Sequence, residues 1–306
     1  MRSTQALSLA LALARVPLAS AINIVSSNDD GWAEINIRQL FDTLMSAGHS
    51  VVLSAPAENK SGSGMSAPDC STDETPSNRT EPCEFDSCPA DSGPYGSNAT
   101  DPRLNWVNSY PVTSIAYGID TLSPQFFGGP PDLAVSGPNV GSNLGLSVYI
   151  SGTVGAANYA ATTAGIPAIA FSGEDGSATA WDAEVPAYSS IYTELAAKVV
   201  ERVVSGGTPY LPDDVWLNVN FPSVEGCSTA DDFSFVLSRI FTALPLITGD
   251  DVETCGSTRL PTESDVVGTN GCYVSISVGA ADKSDADATS QGVVLEKLGD
   301  LLTCLP

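Results

Sequence analysis

Positive charge is scarce in this sequence. Its 306 residues include 12 Lys and Arg against 36 Asp and Glu, with one His, so the net charge is −24. Nucleic-acid phosphates are bound largely by Lys and Arg, and this shortage argues against a nucleic-acid partner. Charged residues make up only 16% of the chain, so the acidity reflects missing bases rather than dense acidic runs.

Long apolar runs are scarce as well. No stretch approaches the ~20 apolar residues that a membrane helix needs, so we expect no membrane span. Residues 1–21 combine a basic Arg2, an apolar stretch interrupted by Arg15, and the small residues Ala19-Ser20-Ala21. This pattern is typical of a cleaved secretory signal and predicts a secreted protein. The alternative is a disordered N-terminus without a targeting role.

Histidine is almost absent, which excludes two common kinds of site. The single His49, together with the lack of any Cys-x-x-Cys, argues against a Cys/His zinc site. His49 also falls at the start of a predicted strand, opposite the candidate site described below, so we interpret it as a surface loop residue. A Ser-His-Asp hydrolase is therefore not expected, and neither a Gly-x-Ser-x-Gly elbow nor a P-loop occurs.

Seven cysteines fall into two groups, at 70–88 and at 227–304. In an exported chain they are expected to form disulfides, with at least one thiol left unpaired in a monomer. Glycosylation sequons occur at Asn59, Asn78 and Asn98. We expect Asn78 and Asn98 to be used because they lie in a polar segment, and Asn59 to be unmodified because it adjoins the candidate site.

The hydrophobic pattern predicts an α/β protein. An apolar run over 22–27, a helical pattern over 35–47 and a second run at 51–53 form a βαβ start, which predicts a mostly parallel sheet. Further predicted core elements are strands at 132–136, 166–171 and 215–220 and helices at 153–164 and 191–204. The predicted core therefore spans residues 22–222.

Two segments fall outside this core pattern. Residues 67–110 are rich in Pro, Ser, Asp, Gly, Asn and Cys, which predicts an insertion held by disulfides. Residues 223–306 are expected to form a C-terminal extension packed on the core. This extension is predicted to contain hairpins around 233–280 and a terminal helix near 291–302.

Polar residues follow three of the predicted strands. They lie in Asn28-Asp29-Asp30-Gly31, in residues 55–62 and in residues 136–141. Ligands of an open parallel sheet bind beyond the carboxyl ends of its strands, so these segments are expected to meet at one edge. They supply two carboxylates, a hydroxyl and an amide carbonyl, which are all oxygen donors. Such a set suits Mg²⁺, Mn²⁺ or Ca²⁺ rather than zinc or copper.

Two of these features have a plainer interpretation. Adjacent side chains of an extended strand point to opposite faces, so Asp29 and Asp30 need the turn that Gly31 permits. Otherwise Asp-Asp-Gly is a turn in which one Asp caps the next helix. Likewise, Ser151-Gly152-Thr153 precedes a predicted helix and is either an anion site or a simple N-cap.

The charge balance favours a metal-assisted reaction. A phosphate ester carries about two negative charges at neutral pH, and Lys60 is the one base among the polar segments described above. A divalent cation would supply the missing positive charge and lower the pKa of a bound water. Metal-assisted phosphate hydrolysis is therefore consistent with these residues.

The three segments together resemble the SurE-type survival-protein family of metal-dependent nucleotidases and acid phosphatases. The matching motifs are INIVSSNDDG, APAENKSG and PDLAVSGPNVGSNLG, followed by Ser-Gly-Thr-Val at 151–154. Two shorter matches, GIPAIAFS and LNVNFP, come later. The resemblance covers residues 22–66 and 130–222 and omits the insertion and most of the last third. It departs from the family at Gly31-Trp32-Ala33-Glu34, where an Ala-Pro-Gly-type turn is usual.

The resemblance implies a three-layer α/β/α, Rossmann-like core and the hydrolysis of small phosphorylated substrates, usually nucleoside monophosphates. It also implies homodimers or higher homo-oligomers built through the C-terminal segment. One divalent cation would be held by Asp29, Asp30, Ser61 and Asn139. The residues implied to contact phosphate are Asn28, Gly31, Ser151, Gly152 and Thr153.

These observations predict a secreted, divalent-metal-dependent phosphatase in which Asp29 and Asp30 are the catalytic carboxylates. Attack by water and attack by one Asp are both compatible with the sequence. An alternative from another class is a catalytically silent, Ca²⁺-stabilised secreted binding protein with the same fold. A third is an extracellular interaction protein that uses residues 67–110.

Overall fold

A computed structural model describes residues 21–65 and 75–306. The predicted signal segment, apart from Ala21, lies outside the described residues, and so does Cys70. Among the helices of these two ranges, none is both long and apolar enough to cross a membrane.

The described residues form one sheet of nine strands in the order β3-β4-β2-β1-β5-β6-β7-β9-β8. The six strands from β4 to β7 in this order are parallel. β3 is antiparallel to β4, β9 is antiparallel to β7, and β8 is parallel to β9. The strands are β1 Asn23–Ser27, β2 Ser50–Pro56, β3 Tyr95–Ser97, β4 Leu104–Val107, β5 Leu133–Val140, β6 Ala168–Gly173, β7 Trp216–Phe221, β8 Ser234–Ser238 and β9 Tyr273–Gly279.

Helices cover both faces of this sheet. They are α1 Ile35–Ser46, α2 Pro111–Tyr117, α3 Ser123–Phe127, α4 Gly152–Thr162, α5 Ala187–Ser205, α6 Glu263–Val267 and α7 Ala288–Leu298. Successive strand residues alternate between the two faces. In β1, Ile24 joins the core with α1 and α5, whereas Val25 joins the core with α2 and α4. The predicted three-layer α/β/α core with a mostly parallel sheet is thereby confirmed.

The segment interpreted as an insertion contributes to the sheet. Its last part, Leu104–Val107, forms β4 and pairs parallel with β2, while Tyr95–Ser97 forms β3 along β4. The expectation that residues 67–110 lie outside the core is wrong for these strands. Leu-Asn-Trp-Val is a short run inside a polar, Pro-rich stretch, and the composition of the whole stretch hid it.

The C-terminal segment differs from its prediction in topology. Hairpins were expected around 233–280, but β8 and β9 are parallel neighbours. The long connection between them carries α6, and such a crossover is what parallel strands require. The terminal helix begins and ends a few residues earlier than predicted, and α7 packs against α5.

The predicted disulfides are present. They join Cys83 to Cys88, Cys227 to Cys272 and Cys255 to Cys304. The second and third close large loops within the C-terminal segment. Residues 302–304 lie along the outer strand β8, where Leu302 pairs with Phe235 and the Thr303 N–H donates to the Phe235 carbonyl at 2.8 Å.

Candidate metal and phosphate site

The turn after β1 aims two acidic side chains at the carboxyl edge of the sheet. The Asn28 side chain closes the turn, since its Nδ2 donates to the Gly31 carbonyl at 3.1 Å and its Oδ1 accepts from the Gly31 N–H at 3.2 Å. Gly31 has a φ of 109°, a conformation that glycine adopts without strain. Asp29 and Asp30 are each only 2% exposed. The turn that the sequence required for both to face one site is therefore present.

Asp29 is fixed by the beginning of α4. Its Oδ1 accepts from Thr153 Oγ1 at 2.6 Å, and its Oδ2 accepts from the Gly152 N–H at 3.0 Å. Ser151 caps the same helix, its Oγ accepting from the Val154 N–H at 3.1 Å. The positive end of this helix thus stabilises a carboxylate of the protein itself.

Asp30 bridges the other two segments. Its Oδ2 accepts from the Val140 N–H at 2.8 Å, and its Oδ1 lies 3.4 Å from Ser61 Oγ. Ser61 is on the exposed side of the site, in the loop after β2. The backbone N–H of the preceding Lys60 donates to the Asp29 carbonyl at 2.6 Å, which holds this loop against the β1 turn.

Asn139 completes the cluster from β5. Its Nδ2 donates to the carbonyls of Val140 and Gly141, at 3.2 and 2.6 Å, which turns its Oδ1 toward Thr153. That Oδ1 lies 3.4 Å from Thr153 Oγ1, the same hydroxyl that binds Asp29. The structure therefore links Ser61 to Asp30 directly and Asn139 to Asp29 through Thr153. Because Asp29 and Asp30 are neighbours in the chain, the four predicted metal ligands lie in one cluster although they come from distant parts of the sequence.

Within the part of the chain that the structure describes, the two acidic groups have no positively charged partner. Neither Asp29 nor Asp30 forms an ion pair among residues 21–65 and 75–306. Burial raises the pKa of Asp29. Burial and then repulsion from Asp29 raise the pKa of Asp30 well above its usual range. Two adjacent buried carboxyl groups need either a proton or a cation between them.

The donor set is compatible with a divalent cation. In the described ranges no three His, Cys, Asp or Glu side chains are grouped to hold a metal ion, so the two carboxylates would need the neutral oxygens of Ser61 and Asn139. A set of oxygen ligands that combines negatively charged carboxylates with neutral groups is typical of Mg²⁺, Mn²⁺ and Ca²⁺ sites. The assignment of these four residues as ligands stays a prediction.

The five predicted phosphate contacts lie around the cluster, and most of their polar groups already have partners. Asn28 and Gly31 bind each other, Ser151 caps α4, and Gly152 and Thr153 bind Asp29. In this arrangement they build the cluster, and their contact with phosphate stays a prediction. The role of Thr153 differs most from the predicted contact with phosphate, because its hydroxyl lies between Asp29 and Asn139.

Sequence reasoning missed two acidic residues beside the site. Glu34 caps α1 by accepting from the Asn36 N–H at 2.6 Å, and burial raises its pKa to about 9. Glu84, from the loop closed by Cys83 and Cys88, accepts from the Asn59 N–H at 2.9 Å. The departure noted at Trp32–Glu34 was the available signal for Glu34, whereas nothing local connected Glu84 with the site.

His49 does not lie on the surface as expected. It is 4% exposed, its Nδ1 accepts from the Ile22 N–H at 3.3 Å, and its Nε2 lies 2.9 Å from Glu201 Oε1. The partner Glu201 comes from α5. The imidazole is therefore a buried structural group at the end of the sheet opposite the site.

The fold and the site together define a doubly wound α/β protein with an acidic, oxygen-lined centre beyond the carboxyl ends of its parallel strands. Comparison with known proteins identifies the family within this class. The family model described as Survival protein SurE matches residues 24–237. An acid phosphatase of Yarrowia lipolytica is 33% identical over 295 residues, which cover 86% of this chain and 80% of the relative.

A further sequence relative and a solved structure point to the same family. A 5'-nucleotidase SurE of Lawsonia intracellularis is 31% identical over 203 residues, covering 66% of this chain and 67% of the relative. The solved structure of the SurE protein from Aquifex aeolicus aligns with a TM-score of 0.56 at 21% identity, over 90% of this chain and 98% of that one. The chain belongs to the survival protein SurE family, as the sequence motifs predicted.

Proposed function

We propose that this chain hydrolyses phosphate monoesters with the help of one divalent cation. Its curated relatives carry the names acid phosphatase and 5'-nucleotidase SurE, and the chain is accordingly a phosphoric monoester hydrolase. The observation that carries the metal dependence is the pair Asp29 and Asp30, which are buried side by side and form no ion pair within the described ranges. Nucleoside monophosphates or a broader range of monoesters are the proposed substrates.

Each residue of the cluster has a distinct task in this proposal. Asp29 and Asp30 would hold the cation, and Ser61 and Asn139 would complete its shell. The Gly152 N–H and the Thr153 hydroxyl orient Asp29, whereas the Val140 N–H orients Asp30. A bound Mg²⁺ or Mn²⁺, or Ca²⁺ in their place, supplies positive charge that polarises the phosphoryl group.

Lys60 and Arg79 bring positive charge to the rim of the site. Lys60 precedes Ser61, and its ammonium lies 3.7 Å from Glu58 Oε2 and 5.7 Å from the Tyr110 ring centre. Glu58 is also bound by Arg79 at 2.9 Å, and the carboxyl group of Glu84 is close enough to Glu58 to be repelled by it, so two acidic side chains offset the two basic ones on this side of the site. A bound cation would therefore be the main attraction for a phosphate dianion in the proposed complex.

The direct test is turnover of p-nitrophenyl phosphate and of nucleoside monophosphates, before and after EDTA treatment. We expect activity to vanish with EDTA and to return with Mg²⁺, Mn²⁺ or Ca²⁺. Asp30→Asn should abolish turnover, while Asp231→Asn should not, because Asp231 is a carboxylate with a 92% exposed side chain paired with Lys198. Metal-independent turnover, or an unaffected Asp30→Asn variant, would reject the proposal.

A catalytically silent, Ca²⁺-stabilised binding protein is the competing proposal. It predicts the same cation site, so calorimetry with metal alone would give the same result for both. Turnover separates the two, because the silent protein would bind metal with a defined stoichiometry and hydrolyse no substrate of the panel.

We further propose that the chain is exported and cleaved after Ala21. The three disulfides support this because such bonds persist in oxidising compartments. N-terminal sequencing of protein from the medium should begin at Ile22, and glycosidase treatment should remove glycans from Asn78 and Asn98. Retention of the full leader in cells would reject export.

Self-association is proposed for the same chain. Leu244, Leu246 and Ile247 form an exposed apolar loop in the C-terminal segment, which supports contact with a second copy. Light scattering after gel filtration should give the mass of a dimer or a higher oligomer, and a monomer at micromolar concentration would contradict it.

A further inference from the structure

Two buried asparagines of β7 have no part in the site described above. Asn218 and Asn220 belong to the LNVNFP sequence, and both side chains are completely buried. Residues two apart on a strand point to the same face. Their two amide groups therefore lie side by side on one face of β7, where they can bind the segment that packs on that face.

Both amides bind the backbone of one loop residue, Asn143. The Asn143 N–H donates to Asn220 Oδ1 at 2.8 Å. The Asn143 carbonyl accepts from Asn218 Nδ2 at 2.9 Å and from Asn220 Nδ2 at 3.2 Å. The Asn143 side chain in turn donates to Ser172 Oγ at 2.8 Å. A residue outside regular secondary structure is thus held at its N–H, its carbonyl and its side chain.

Glu263 extends these contacts from the C-terminal segment. Its Oε1 accepts from Asn218 Nδ2 at 2.7 Å, and its Oε2 accepts from the Gly145 N–H at 3.2 Å. Glu263 is completely buried in the first turn of α6. One carboxyl group therefore links the asparagines of β7 to a second point on the same loop.

That loop joins the two halves of the candidate site. Residues 140–150 run from Asn139, a proposed cation ligand, to the Ser151-Gly152-Thr153 turn that orients Asp29. The loop contains Gly141 and Gly145, which have φ values of 100° and 53°. Residues 145–149 form a short 3₁₀ helix, but the two glycines give the backbone up to its first residue wide freedom, so contacts from outside the loop help to fix the spacing between the two halves.

We propose that Asn218, Asn220 and Glu263 are positioning residues that fix the 140–150 loop and so set Asn139 and Thr153 at their working separation. The inference rests on the proposed phosphatase function. Removing the contacts leaves the cation ligands and the phosphate contacts in place but allows their relative position to vary. An error of about 1 Å in such a geometry lowers a rate by about 100-fold.

The test compares Asn220→Leu with Asn158→Leu in the full-length protein. Leu has nearly the shape of Asn but lacks both contacts to Asn143. Asn158 is a matched control, because it is also buried and its amide binds the backbone carbonyls of Ala280 and Ala281 instead of the loop. We expect Asn220→Leu to lower kcat about 100-fold, and Asn158→Leu to change it less than about threefold.

Ground-state binding separates positioning from general damage. KM of Asn220→Leu should stay within about threefold of wild type, and the Mn²⁺ stoichiometry at saturation should be unchanged, because all four proposed ligands are still present. A loss of folded protein would instead lower the stoichiometry in step with kcat. A kcat equal to that of Asn158→Leu, or a parallel loss of metal sites and turnover, would overturn the inference.

Two measurements keep the test decisive if Asn220→Leu fails to fold. Asn218→Ser removes one contact of Asn143 and should show the same selective fall in kcat, to a smaller extent. In the wild-type protein the Asn143 amide should resist hydrogen exchange, and exchange as fast as in the exposed 244–248 loop would overturn the inference. A wild-type protein without turnover in any metal would instead reject the phosphatase proposal, and this inference with it.

Discussion

Gly152 is the residue of the site where one added methyl group has the most direct effect. A Cβ at this position would lie 2.8 Å from Asp29 Cβ, 2.8 Å from Pro111 Cγ and 3.0 Å from Asp29 Oδ2. Ordinary contacts of this kind begin at 3.4 Å. Gly152→Ala therefore requires Asp29 and the start of α4 to move apart by about 0.6 Å.

The size of the effect follows from this displacement. Overpacking a well-packed interior costs about 1–3 kcal/mol of stability. A shift approaching 1 Å in a catalytic group lowers the rate by up to about 100-fold. We therefore expect Gly152→Ala to fold with a lower thermal midpoint and to lose about 10- to 100-fold in kcat/KM.

Gly155 of the same helix provides the matched control. A Cβ there would lie 3.7 Å from Val112 Cγ2, an ordinary contact. Ala is favoured over Gly inside helices by up to about 1 kcal/mol, so Gly155→Ala should retain its activity and unfold at the same or a higher temperature. The assay is steady-state hydrolysis of p-nitrophenyl phosphate with restored metal, beside thermal denaturation of both variants.

The result that refutes this reasoning is a folded Gly152→Ala variant with wild-type kcat/KM. It would mean that the position of Asp29 against α4 does not matter for turnover. Equal losses in Gly152→Ala and Gly155→Ala would point to a general effect on the helix instead of a specific effect on Asp29.

Three further predictions follow from single contacts. Thr153→Val removes the hydroxyl 2.6 Å from Asp29 Oδ1. It should therefore lower the free energy of unfolding by about 1–3 kcal/mol and weaken Mn²⁺ binding in calorimetry. Burial raises the pKa of Glu263 from 4.5 to about 8, so its contribution to stability is fully present below pH 4.5 and is lost as the pH rises toward 8; Glu263→Gln should flatten the wild-type pH profile of the urea midpoint over that interval. Cys255 and Cys304 are 49 residues apart, so replacing both with Ser should lower the unfolding free energy by up to about 4 kcal/mol.

Each of these has a contrary outcome. Unchanged Mn²⁺ affinity in Thr153→Val would separate the hydroxyl from the proposed cation site, and Thr153→Ser is the conservative control. Parallel pH profiles for wild type and Glu263→Gln would assign the dependence to other buried carboxyl groups. If the variant with Ser at both Cys255 and Cys304 has an unaltered unfolding free energy, then residues 299–306 are held by their other contacts.

The central layers of the fold were predictable because their signals are local. The runs at 22–27 and 51–53 are short and apolar, and the helical pattern from Ile35 separates them, so the βαβ start was evident. The convergence of Asp29, Asp30 and Asn139 followed from a rule of parallel sheets, which places the ends of adjacent strands at one edge.

The remaining features depend on contacts between distant residues. Nothing in the sequence near Thr153 indicates that its hydroxyl binds Asp29, because that contact requires α4 to meet the β1 turn. The same holds for Glu84, which reaches the site through the Cys83–Cys88 loop. β4 was missed because its apolar residues lie within a polar segment, and the direction of β8 was missed because strand direction is set by the path of a long connection.

Residues 299–306, which follow α7, also protect an edge of the sheet from pairing with other copies of the chain. β8 is an outer strand of the sheet, and the unpaired backbone groups of such a strand invite pairing with strands of other chains. Leu302 and Thr303 cover part of that row, and the bond between Cys304 and Cys255 prevents them from drifting away. Reductive loss of this bond would uncover a template for intermolecular β-pairing, so oxidation protects the solubility of the protein as well as its folded stability.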